Sequence, residues 1–132
     1  INFLLFLQFK EEMLDVISKL KLGSPLEFDT FLSAVIDGAS FDRLQTAINF
    51  AKSDRKTNKI LIGGNTKKDT GFYIEPTVIE TTDPKSRLMR NEFFGPVLTV
   101  YVYDDNKIDE TLQLVDESTP FALTGAIFST DG

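Results

Sequence analysis

Residues 97–128 carry the pattern that most narrows the fold. Residues 97–103 form a β-branched and aromatic run of strand length. Asp104-Asp105-Asn106 then supplies turn and capping groups. Ile108, Leu112 and Val115 recur at helical spacing, and residues 122–128 read as the strand that follows. Strand, helix and strand over about thirty residues make one βαβ unit. A chain that contains such a unit is expected to be an α/β domain, a layered sheet with flanking helices.

The upstream half fits the same layering. Over residues 9–22, Met13, Val16, Ile17 and Leu20 line one face of an expected amphipathic helix, ended by Gly23-Ser24-Pro25. Residues 1–9 are apolar on all sides and are expected to be buried against material outside this chain. Ser40 is the expected N-cap of a helix bearing Phe41, Leu44, Ala47, Ile48 and Ala51. Residues 59–62 read as a short strand ended by Gly63-Gly64. Residues 72–80 read as extended, with Pro76 marking an edge or an irregularity. Polar loops are expected over residues 54–58 and 65–71. No repeat or Gly/Ser-rich linker divides the chain, so residues 1–132 are expected to belong to one domain, with residues 1–9 atypical of it.

A net charge of −6 argues against a nucleic-acid backbone or an anionic membrane as the main partner. Nine apolar residues at the start are far short of the roughly 20 that span a bilayer. The chain has no cysteine and no histidine, which removes disulfides, thiolate metal sites and a thiol nucleophile from within it. Its own chemistry must rest on carboxylates, lysines or hydroxyls. Lys67-Lys68 reads as a solvated turn. Gly63-Gly64 lacks the spacing of a phosphate-binding loop, and Asp104, Asp105, Asp109 and Glu110 read as capping charges, not a metal site.

The strongest candidate site is Asn91-Glu92-Phe93-Phe94-Gly95-Pro96-Val97. An ionised Glu92 accepts hydrogen bonds at two oxygens, which suits the neighbouring hydroxyls of a ribose. Phe94 offers a ring for offset contact with a flat heterocycle. The plain alternatives are a solvated glutamate and a core phenylalanine, one of twelve in the chain. Gly95-Pro96 supplies a turn that aims the preceding loop and launches the strand.

Four ordered segments make the match more specific. They are Ser33-Ala34-Val35-Ile36-Asp37, Gly71-Phe72-Tyr73-Ile74-Glu75-Pro76-Thr77, the residues 92–97 above, and Leu123-Thr124-Gly125-Ala126-Ile127-Phe128-Ser129. Together they resemble the aldehyde dehydrogenase family over roughly residues 10–131. Val100-Tyr101-Val102-Tyr103 and Thr111-Leu112-Gln113-Leu114-Val115-Asp116 resemble the branch that oxidises L-glutamate γ-semialdehyde. The resemblance implies a partial catalytic domain of that fold. It implies NAD as cofactor, Glu92 on the nicotinamide ribose, and Phe94 beside the nicotinamide. A small aldehyde would be the substrate and glutamate the product, in proline degradation. A homo-oligomer is implied for the full enzyme, with no nucleic-acid or membrane partner. Eukaryotic members work in the mitochondrial matrix; otherwise the expected place is cytoplasmic.

The family's nucleophilic cysteine, general-base glutamate, oxyanion asparagine and main dinucleotide-binding segment would fall before Ile1. Its substrate-anchoring loop would fall after Gly132. The chain is therefore expected to be a fragment with no catalytic residue and no metal site of its own, inactive alone. Phe93 stands where an aliphatic residue is more usual, a change that a packed site is expected to absorb. The alternative reading is a non-catalytic α/β interaction module that kept the fold.

Overall fold

A computed structural model describes residues 1–121 and 123–128. Helix α1 (Phe3–Ser18) is followed by α2 (Gly38–Ser53), strand β1 (Asn58–Ile62) and two short strands, β2 (Thr66–Lys67) and β3 (Tyr73–Ile74). Strand β4 (Thr77–Thr81), the one-turn helix α3 (Arg87–Arg90), strand β5 (Val97–Tyr101) and helix α4 (Ile108–Ser118) complete the order. The main sheet runs β1-β4-β5, antiparallel between the first pair and parallel between the second. Strands β2 and β3 form a separate antiparallel ladder.

Alternation along β4 sorts the two faces of the sheet. Ile79 joins Phe41, Leu44, Ala47, Ile48 and Ala51 of α2 in the core, with Ile74, Leu88 and Phe93. These α2 residues recur every three or four positions, so one helical stripe covers the sheet. Glu80, one residue on, faces the other way and lies 4.0 Å from Lys10 of α1. Its neighbours on that face are Val78 and, across the ladder, Leu98 and Val100. The result is helix α2, sheet, helix α1: the layered α/β arrangement expected.

Several expectations need correction. The helix placed at residues 9–22 starts earlier, because Asn2 caps it by accepting the Leu5 N–H at 2.8 Å. Of the apolar opening, Phe6 is buried, whereas Phe3, Leu4, Leu5, Leu7 and Phe9 are exposed. Ser40 is not the cap of α2. Asp37 is, accepting the Ser40 N–H at 2.7 Å, and Ser40 is already helical. Lys67 and Lys68 are exposed, as expected, but not in a turn: Lys67 lies in β2, and Lys68 is held by contacts of its own. It pairs with Asp42 at 2.7 Å and lies over the Phe41 and Phe72 rings, directly after β2. Before α4, residues 104–107 do turn, but the cap is Lys107 without a side-chain bond, so Asp104, Asp105 and Asn106 do not cap it; Asp109 and Glu110 do lie in its first turn, where negative charge is favoured.

The βαβ unit also lies elsewhere. Residues 123–128 contain no strand; the rest of that expectation, Ala122, lies outside the described residues. The parallel crossover is instead β4–α3–β5, through residues 82–96. The apolar stripe Ile108, Leu112 and Val115 is more than half exposed at each position. Pro76 does not mark a sheet edge, because β4 is the central strand. It marks an irregularity: the chain leaves the β2–β3 ladder there, where a missing N–H costs nothing. Gly63 answers it, with φ of 76° and a backbone so near that a Cβ would sit 2.1 Å from the Pro76 oxygen.

Candidate functional site

The site is the loop that joins α3 to β5. Helix α3 is seated by buried Leu88, whose N–H donates to Ser86 Oγ at 3.3 Å. The Asn91 N–H donates to the Arg87 carbonyl and ends the helix. Glu92 is exposed, Phe93 turns into the core at 8% exposure, and Phe94 turns out again at 77%. Phe93 fills core space beside α2.

Phe94 has φ of 51°, and among the described residues it is the one non-glycine residue with positive φ. A bulky side chain rarely adopts that region, because its Cβ crowds the backbone. Strain of this kind persists where surrounding structure enforces it. Two contacts flank the residue. Arg43 Nε donates to the Phe93 carbonyl at 3.2 Å, and Arg43 Nη2 donates to Ser40 Oγ at 3.2 Å. Gly95 lies against Leu44 so closely that a Cβ there would be 2.4 Å from Leu44 Cδ1.

The loop then enters the sheet without slack. The Val97 N–H donates to the Gly95 carbonyl at 2.8 Å across Pro96, and the Pro96 carbonyl accepts the Thr77 N–H at 2.8 Å. Beside this exit lies an open apolar recess of about 250 Å³, lined by Ile17, Leu20 and Leu32 together with Val78, Pro96 and Leu98. The arrangement presents a carboxylate and an aromatic face to solvent on one loop, with a buried ring anchoring it between them. An exposed carboxylate can accept hydrogen bonds from hydroxyls, and an exposed ring can stack on a flat group. Among the described residues, no three carboxylates converge as a metal site would need.

Both residues singled out from sequence are therefore on the surface of one well-anchored loop. Sequence reasoning missed Arg43, Leu44 and Ser40, which hold it. Fifty residues separate Arg43 from Phe93, so no local spacing signals that pair.

The Aldehyde dehydrogenase family model matches residues 5–132. The mitochondrial delta-1-pyrroline-5-carboxylate dehydrogenase of Danio rerio is 49% identical over 125 residues, covering 94% of this chain and 22% of the relative. The Homo sapiens enzyme of the same name is 47% identical over 125 residues. The chain thus spans 22% of the length of these relatives. Among solved structures, the Mycobacterium tuberculosis delta-pyrroline-5-carboxylate dehydrogenase superposes with a TM-score of 0.89 at 28% identity, covering 98% of this chain and 24% of its own. A Staphylococcus aureus betaine aldehyde dehydrogenase in complex with NAD+ gives a TM-score of 0.79 at 30% identity, covering 94% of this chain and 24% of its own. With a family model that matches nearly the whole chain, this protein belongs to the aldehyde dehydrogenase family.

Proposed function

We propose that residues 1–132 are part of the catalytic domain of an NAD-dependent dehydrogenase that oxidises L-glutamate γ-semialdehyde to glutamate in proline degradation. The observation that carries this reading is the 92–94 loop, an exposed carboxylate and an exposed, conformationally strained phenyl ring around a buried anchor. That the relatives are named delta-1-pyrroline-5-carboxylate dehydrogenases supports the substrate. A solved neighbour of that name bound with NAD supports the cofactor.

The Glu92 acceptor oxygens and the Phe94 ring suit the nicotinamide half of NAD. The Glu92 carboxylate would accept hydrogen bonds from the two ribose hydroxyls, fixing the sugar's rotation. Phe94 would cover one face of the nicotinamide and keep water from it. When bound, NAD accepts the hydride that leaves the aldehyde carbon. The chain itself offers no thiol to capture that aldehyde, so it orients the cofactor and does not carry the covalent step. As the family resemblance implies, the whole enzyme would be a homo-oligomer, in the mitochondrial matrix in a eukaryote and otherwise cytoplasmic, with no nucleic-acid or membrane partner; the word mitochondrial in the relatives' names supports the location.

The test is a chimera in which this chain's residues replace the matched segment of the Danio rerio relative, assayed for NAD reduction with glutamate γ-semialdehyde. Glu92→Gln leaves one acceptor oxygen of two and is expected to raise KM for NAD about ten-fold, the effect of one charge-assisted hydrogen bond. Phe94→Ala is expected to slow hydride transfer in single-turnover experiments more than aldehyde capture. The 132-residue chain alone should form no reduced cofactor. Unaltered kinetics in both variants defeats the assignment.

A further inference from the structure

We propose that helix α2 is the template that sets the conformation of the 92–94 loop, with Arg43 and Leu44 as positioning residues for Phe94. The inference rests on the cofactor reading for its purpose, though not for its geometry. Rotation about the Phe94 N–Cα bond is measured from the Phe93 carbonyl carbon to the Phe94 carbonyl carbon, so whatever holds the Phe93 carbonyl fixes one end of φ. Arg43 Nε holds it, by donating at 3.2 Å. The guanidinium is braced in turn, because Nη2 donates to Ser40 Oγ at 3.2 Å and Ser40 is buried in the first turn of α2.

On the other side of Phe94, Gly95 meets Leu44 side-chain atoms that would lie 2.4, 2.7 and 3.1 Å from a Cβ. Leu44 is fully buried in the core and has nowhere to retreat. Phe93 itself is anchored in the same core. The residue in the unfavourable backbone region is thus restrained at the peptide before it and at the residue after it. Both restraints come from adjacent positions on one helix. If either were released, Phe94 would relax to an ordinary extended or helical φ and its ring would swing off the surface it now presents.

Arg43→Met and Arg43→Lys in the chimera test this, because Arg43 lies at the surface and its loss leaves the core intact. Crystal structures give φ at Phe94, and steady-state kinetics give KM for NAD, KM for the aldehyde, and kcat. Arg43→Met is expected to move Phe94 out of the left-handed region and raise KM for NAD about ten-fold, with the aldehyde KM unchanged. Arg43→Lys keeps a cationic donor without the fork that also bonds Ser40, and is expected to recover both in part. Gly95→Ala supplies the second arm, displacing the loop from Leu44 with the same kinetic split. If φ at Phe94 stays near its wild-type value in Arg43→Met, the template idea is overturned. If φ moves while cofactor kinetics stay wild type, the positioning stands and the placement of Phe94 beside the nicotinamide falls.

Discussion

Asp37 shows how one carboxylate ties a helix start to pH. It accepts the Ser40 N–H at 2.7 Å, and its pKa is lowered from 3.8, chiefly by that backbone bond, then by the Ser40 side chain, with a smaller contribution from the Arg43 charge. A depressed folded pKa means the stabilisation is complete above the unfolded value. It is lost as pH falls through the folded pKa. Asp37→Ala is therefore expected to lower Tm at neutral pH, with the difference from wild type shrinking below pH 3.8. Thermal melts across that range check it; a constant difference refutes the linkage. The cap was misread at Ser40 because Gly38 and Ala39 carry no apolar signal, which hides the first helical residues. The loop that carries Glu92 and Phe94 was legible because its motif is contiguous. The strain at Phe94 was not, since it is imposed by α2 from fifty positions away.

Elements were legible where they are long enough to show a period. The core stripe of α2 and the β-branched run of β5 were placed correctly for that reason. Strands of two residues and a four-residue helix have no period, so β2 and α3 left no trace in the pattern, and β3 merged with β4 into one extended segment over residues 72–80. Helix α1 shows the opposite failure: the almost wholly apolar first half, residues 3–9, concealed which face is inside. Leu4 and Leu7 are 60% and 54% exposed, whereas Phe6 between them is 3% exposed and faces Met13 and β5 across a cavity of about 300 Å³. Replacing Leu4 and Leu7 with lysine is expected to raise soluble yield and reduce binding of an apolar dye, leaving helicity unchanged. Phe6→Ala should instead cost about 3–5 kcal/mol and lose far-ultraviolet ellipticity. Equal effects of the inner and outer substitutions contradict the orientation assigned to α1.

At the scale of the whole molecule, the sheet and its two helix layers leave much apolar surface uncovered. Leu123, Ile127 and Phe128 are 95%, 86% and 89% exposed, and the outward row of α1 adds to them. The outer edge of β5 is met by Ile1 and Asn2 at Tyr101 and Tyr103, and β1 stands at the other edge of the sheet. Unpaired strand edges and contiguous apolar patches both favour association. Covering one large apolar side chain contributes roughly 1.5–3 kcal/mol, against a domain stability of about 5–15 kcal/mol. The uncovered side chains are numerous enough for their missing neighbours to decide whether the fold persists. The 132-residue chain by itself is therefore expected to aggregate and to bind an apolar dye. Co-expression with the remaining segments of the Danio rerio relative, of which this chain matches 22%, is expected to make it soluble. Light scattering and dye fluorescence with and without those segments measure both effects. A monomer that melts cooperatively above about 50 °C, within the usual mesophile range, would mean that the layers suffice unaided. The non-catalytic interaction module would then be the better reading, because such a module must fold without the rest of an enzyme around it.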